Sequence, residues 1–113
     1  MKLHQRGRMA PAFILLVLSM EPNHGLGIYN KLVELFPGNR LDTAIIYRKL
    51  GEMEKKNCIT SQWMESDVGP KKKVYSITEK GREILSEFHD DIQFRIGMLS
   101  KFLEMHEQIR DSK

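Results

Sequence analysis

Three consecutive lysines, Lys71-Lys72-Lys73, follow the turn dipeptide Gly69-Pro70 and lie between two strand-like runs, Ile59 to Met64 and Val74 to Ile77. Just upstream, Thr43, Ala44, Tyr47 and Arg48 share the side of a helix-periodic segment opposite its apolar stripe, Ile46, Leu50 and Met53. Ammonium groups on a hairpin and small or hydrogen-bonding groups near a helix N-terminus answer two separate demands of duplex DNA. Phosphate contacts set register, and base-edge contacts in a major groove about 12 Å wide specify sequence. Arg48 has the planar fork that fits guanine O6 and N7, and Tyr47 has a hydroxyl suited to a phosphate. A solvated hairpin and an ordinary surface helix can carry the same residues, so the weight falls on their order. Over residues 41–81 that order is helix, strand, basic turn, strand and helix start, which is the order of a winged helix.

Other chemistries find little support. His4, His24, His89 and His106 are scattered, and no HExxH, CxxC or convergent carboxylate spacing occurs. Neither a metal site, a cofactor nor an enzymatic activity is expected. One cysteine, Cys58, cannot build an intramolecular disulfide framework, and at a strand start it reads as a small apolar residue rather than a redox sensor. The seven methionines read as core filler. The longest apolar run, Ala12 to Leu18, is far shorter than the roughly 18 residues of a membrane span, and no signal-peptide pattern appears. A soluble, cytoplasmic protein with no membrane partner is expected.

The elements that must position the basic hairpin follow from pattern and punctuation. At 113 residues and 41% hydrophobic content the chain suits one structural domain. Ala10 to Met20 reads as a buried helix, stopped at Glu21-Pro22-Asn23. His24 to Phe36 gives a second, with Ile28, Leu32 and Leu35 on one face, Gly25 and Gly27 allowing close approach of a neighbouring helix, and Pro37-Gly38-Asn39 ending it. Asp42 is the expected N-cap of the third helix, and Asn57 suits a left-handed position after it. In the strand that follows, Ile59, Ser61 and Trp63 share a face, with Trp63 expected as a core or hairpin anchor. Thr78 is the expected N-cap of the last helix.

That last helix, about Glu79 to Ile109, would run roughly 45 Å at 1.5 Å per residue, more than a small domain can cover. Leu85, Phe88, Ile92, Leu99, Phe102 and Ile109 fall on a heptad pattern whose other positions are Arg95 and His106, with Ile84, Ile96 and Leu103 widening the stripe. A homodimer is the economical way to cover it, through Leu85, Phe88, Ile92, Ile96, Leu99, Phe102 and Leu103. A two-fold dimer matches a palindromic operator. Charge is segregated in the same sense, at +5 over residues 1–78 and −2 over residues 79–113 of a chain whose net charge is +3. The expected fold is therefore mainly α with a small β-hairpin. A winged helix-turn-helix DNA-binding part, residues 1–78, would be joined to a C-terminal dimerisation helix, residues 79–113.

His24-Gly25-Leu26-Gly27-Ile28, Ile46 through Glu54, Ile59 to Trp63, Gly69-Pro70-Lys71-Lys72-Lys73-Val74-Tyr75 and Ile77-Thr78-Glu79-Lys80-Gly81 together resemble the PadR family of transcriptional regulators. The resemblance covers about residues 10 to 85 in the family's order and spacing. It implies a DNA-binding regulator, and the single C-terminal helix resembles a subfamily of small dimeric repressors. Its best-known member holds drugs in a pore between subunits. The family usually has threonine at Ile45, proline or a small residue at Arg48, glycine at Asn57 and a wing arginine at Lys72. DNA contacts by Tyr47 and the wing lysines therefore carry over better than any base preference. The drug-stacking tryptophan of the multidrug-binding relative matches Ile92. Phe88, Ile92 and Ile96 would thus line either an apolar pocket for a hydrophobic small-molecule effector or, the stronger expectation, a plainly packed interface. The competing reading is a winged-helix module that binds protein and no specific DNA, for which the acidic pairs Glu52/Glu54 and Asp90/Asp91 speak.

Overall fold

Residues 10–20 contain no charged side chain, and they form α1 (Ala10–Met20), the helix around which the others assemble. Ala10, Ala12, Ile14, Leu15, Val17 and Leu18 are buried on more than one side of it, as expected of a helix packed on several neighbours. The structure, a computed structural model, describes residues 8–112; His4 and the charges of Lys2 and Arg6 lie outside them.

After Pro22 the chain does not enter a helix directly. Asn23 and His24 form a short strand, β1 (Asn23–His24), and the next helix, α2 (Gly25–Leu35), begins one residue later than the expected His24. Asn23 Oδ1 accepts a hydrogen bond from the His24 backbone N–H at 2.9 Å, which holds the chain extended. Gly27 makes room for that Asn23 side chain rather than for a neighbouring helix, which corrects the expectation for Gly27; Gly25 does admit another helix, through the ring of Tyr47. At the far end Asn39 Nδ2 donates to the carbonyls of Leu32 (3.2 Å) and Phe36 (2.9 Å), adding a second donor to acceptors already bonded to the Phe36 and Asn39 backbone N–H groups.

Helix α3 (Thr43–Lys55) is capped by Asp42, whose Oδ1 accepts from Ile45 N at 2.8 Å. Ile45, Ile46, Leu50 and Met53 face the core. Asn57 takes the left-handed conformation (φ 64°) that turns the chain into β2 (Ile59–Met64). β3 (Lys72–Ile77) returns antiparallel, with Ile59 opposite Ile77 and Met64 opposite Lys72. β1 adds to its other edge, Asn23 opposite Tyr75 and His24 opposite Val74. The expected hairpin is therefore part of a three-stranded antiparallel sheet of order β1-β3-β2.

Thr78 accepts from Gly81 N at 3.1 Å and opens α4 (Glu79–Asp111). Lys80 Nζ donates to the Lys56 carbonyl at 2.8 Å, tying the start of α4 to the end of α3. Gly81 is buried there, and a Cβ at that position would run into the carbonyl oxygen of Cys58, a backbone atom already engaged by the Thr78 N–H at 3.1 Å. Gly81→Ala should lower unfolding free energy by about 1–2 kcal/mol net, because a clash with fixed backbone falls in the upper part of the roughly 1–3 kcal/mol range of overpacking and alanine's helix preference returns only about 1 kcal/mol. A urea titration decides it; a variant as stable as wild type would mean that the contact relaxes freely.

Beyond its first turns α4 leaves the domain. Ile84 and Leu85 pack against the core, whereas Ile96, Leu99, Phe102 and Leu103 are all exposed. The result is a winged helix, mainly helical, with a long C-terminal helix that brings the greatest dimension to 64 Å. No helix among the described residues is long and apolar enough to cross a membrane.

Candidate nucleic-acid interface

The basic hairpin differs in one respect from its expected form: Lys72 and Lys73 belong to β3, and only Lys71 lies in the turn. Being in a strand, successive side chains project to opposite faces. Lys72 is exposed. Lys73 is half-buried, with its Nζ 5.6 Å from the Tyr75 ring centroid and 3.5 Å from Glu54 Oε1 on α3. Glu54 also accepts a hydrogen bond from Ser61 Oγ, so this carboxylate fastens α3 to both strands of the wing. Lys71 pairs with Glu65 across the turn at 3.5 Å, both groups largely exposed, a geometry worth little in water. Lys72 forms no ion pair among the described residues.

Residues Lys71, Lys72 and Lys73 line an open cleft of 470 Å³ together with Tyr47, His24, Gly25, Trp63 and Tyr75. Tyr47 reaches it because Gly25 has no Cβ: any side chain there would overlap the phenol ring. Burial, and next the Lys72 ammonium, hold the His24 imidazole below its ordinary pKa. The cleft is thus lined by cations, two phenols, an indole and an imidazole. Thr43, Ala44 and Arg48 stand outside it, all exposed along the first half of α3, on the side away from Ile46 and Leu50.

Trp63 corrects a sequence expectation. It is 65% exposed and anchors no core. Strand alternation places it on the same face as Ile59, but burial falls along β2, from Ile59 in the core to exposed side chains at Gln62, Trp63 and Met64. Its membership in the cleft, like that of His24, had no local sequence signal: both depend on strand pairing.

Elsewhere, Phe88 and Ile92 of α4 meet Ala12, Phe13 and Leu16 of α1 around an apolar cleft of 370 Å³. Leu85 lines it too. Ile96, expected with Phe88 and Ile92, does not; it lies one turn further along α4, on its exposed stretch. Among the described residues no group of three or more His, Cys, Asp or Glu is arranged to hold a metal ion, and Cys58 is a buried free thiol.

Fold and cleft together define a winged helix-turn-helix protein with one basic, aromatic-lined face. The chain belongs to the transcriptional regulator PadR-like family, whose model matches residues 14–87. It is similar to the crystal structure of a PadR-like transcriptional regulator from Bacillus cereus, at 29% identity over 84% of this chain and 91% of that one, with a TM-score of 0.73. A PadR family regulator from Clostridium difficile shares the fold at a TM-score of 0.75, 24% identical over 84% of this chain and 98% of that one. So does a protein from Thermoplasma acidophilum, with a TM-score of 0.75 and 22% identity over 87% and 93% of the two chains. No curated protein sequence matches the chain.

Proposed function

We propose that this regulator is a dimeric repressor that binds a palindromic operator. In this reading residues 1–78 are the reading unit and residues 79–113 the pairing helix. Each subunit inserts α3 into a major groove, where Thr43, Ala44, Tyr47 and Arg48 meet base edges and backbone, while Lys71, Lys72 and Lys73 hold the flanking phosphates. One observation carries the reading: the three lysines and Tyr47 of α3 line one cleft, so wing and recognition helix offer a polyanion a continuous surface. Family membership supports the same reading.

Pairing is supported by the exposed apolar length of α4, a stretch too large to leave in water. Its outer residues Ile96, Leu99, Phe102 and Leu103 form the interface, and Leu85, Phe88 and Ile92 continue it towards α1. A small apolar effector entering beside Phe88 and Ile92 would alter the angle between the paired α4 helices, and with it the spacing of the two α3 helices. The competing protein-binding module loses part of its support, because Glu54 is engaged by Lys73 and Ser61 rather than displayed.

A gel-shift titration with DNA from upstream of the protein's own gene, at two salt concentrations, tests the proposal. The expected result is retention of that duplex over a scrambled one, with affinity falling steeply as salt rises. Absence of specific retention at both salt concentrations would sink it.

A further inference from the structure

The chain's single tryptophan is Trp63, and the core does not use it: it lies outside the buried core cluster and is 65% exposed. Among the described residues its indole N–H forms no hydrogen bond. A broad aromatic side chain left in water forgoes a large burial gain, and tryptophan is enriched where an apolar face and a polar tip are both used at an interface. What could cover it is limited by its neighbours. Across the strand pair Trp63 stands opposite Lys73, and the cleft it lines holds Lys71, Lys72 and Tyr47. The partner must therefore be anionic and still offer apolar surface.

A DNA backbone meets both requirements, since each phosphate alternates with a deoxyribose whose C–H face is apolar. Intact duplex keeps its bases stacked, so a side chain beside the backbone meets sugar rather than base planes. Position favours the sugar over wedging between bases. Trp63 is one residue short of the end of β2 and recessed behind the turn at residues 65–71, whereas a wedge has to lead.

We infer that Trp63 is a DNA-backbone contact, its indole face packed on a deoxyribose and its Nε1–H donating to the adjoining phosphate, between the backbone positions held by Tyr47 and by the wing lysines. This rests on the DNA-binding reading above and adds a residue that acts by shape and apolar contact rather than by charge. Its contribution is the same for every sequence, because neither sugar nor phosphate carries base identity.

Trp63 is its own reporter. Titrating the full chain with the upstream duplex should change its fluorescence saturably, with the midpoint seen by gel shift, and added salt should reverse the change. Trp63→Ala should weaken binding about tenfold on upstream and scrambled duplex alike, as loss of an interfacial tryptophan does. It should leave the salt slope unchanged, since no charge is removed. Trp63→Phe should recover most of the affinity by restoring the apolar face. Because Trp63 is exposed, the melting temperature of both variants should match wild type. If wild type binds duplex and Trp63→Ala binds it as tightly, this contact is wrong and the repressor reading stands. A loss confined to the upstream duplex also overturns it, as that marks base readout. If wild type binds no duplex, both fall together.

Discussion

Replacing Leu99 and Phe102 with glutamate should convert the protein to a monomer and weaken operator binding by about a hundredfold or more. Both side chains sit on the stretch of α4 that leaves the winged-helix domain, at 64% and 65% exposure in the single subunit. They are three residues apart and so share one helical face. Covering such a face removes apolar area at roughly 25 cal/mol per Å², whereas two carboxylates per subunit in the middle of a two-fold seam meet their own copies as buried like charges. The DNA consequence follows from linkage. In a dimer, binding of one half-site holds the second reader at an effective concentration near the millimolar range, and a monomer loses that advantage. Sedimentation or light scattering reads the assembly, and a titration with the upstream duplex reads the affinity. The winged helix itself should survive, because only the first turns of α4, through Gly81, Ile84 and Leu85, are built into its core. A variant that stays dimeric would show that α4 is not the pairing element.

Neutralising the wing by the triple substitution Lys71→Ala, Lys72→Ala, Lys73→Ala should lower affinity for every duplex at low salt by about a hundredfold and flatten the salt dependence by about one unit of slope for each phosphate left without its ammonium partner. The three lysines should not contribute equally. Lys72 has no acidic partner among the described residues and meets a phosphate without giving anything up, so its single replacement should account for the largest share. Lys71 exchanges a weak, solvated pairing with Glu65, which costs little. Lys73 is held by Glu54 and lies beside the Tyr75 ring, so part of the effect of replacing it comes from a shift of the wing against α3 rather than from an unmatched phosphate. Filter binding of wild type, the three single variants and the triple variant over a salt series separates these effects. A wild-type slope in the triple variant would remove the wing from the interface.

What the linear chain announced, it announced through interactions a few residues in range. Asp42 and Thr78 cap their helices because a carboxylate or hydroxyl reaches an N–H three residues ahead, and Asn57 turns the chain because asparagine tolerates positive φ. The stripe of Ile46, Leu50 and Met53 is buried because those positions fall on one side of any helix. Motif order was equally legible, and with it the family, since residues 14–87 keep the parts in sequence.

Contacts between distant segments were a different matter. β1 has two residues and no pattern of its own; it exists because β3, some fifty residues later, offers a free edge. Gly25 and Gly27 look alike in the chain, yet one admits the ring of Tyr47 from another helix and the other the side chain of Asn23. Alternation grouped Trp63 with Ile59, but how far a strand face is covered depends on what packs against it, and here Ile59 is buried while Trp63 is 65% exposed. The sequence by itself therefore determined the winged-helix elements, their caps and the basic character of the hairpin, because these depend on periodicity and short-range hydrogen bonding. Only the tertiary structure decided that His24, Tyr47, Trp63 and the three lysines meet in one cleft, and that Glu54 restrains one of those lysines while Lys72 is left unpaired among the described residues, because strand pairing and helix packing set distances that spacing along the chain does not contain.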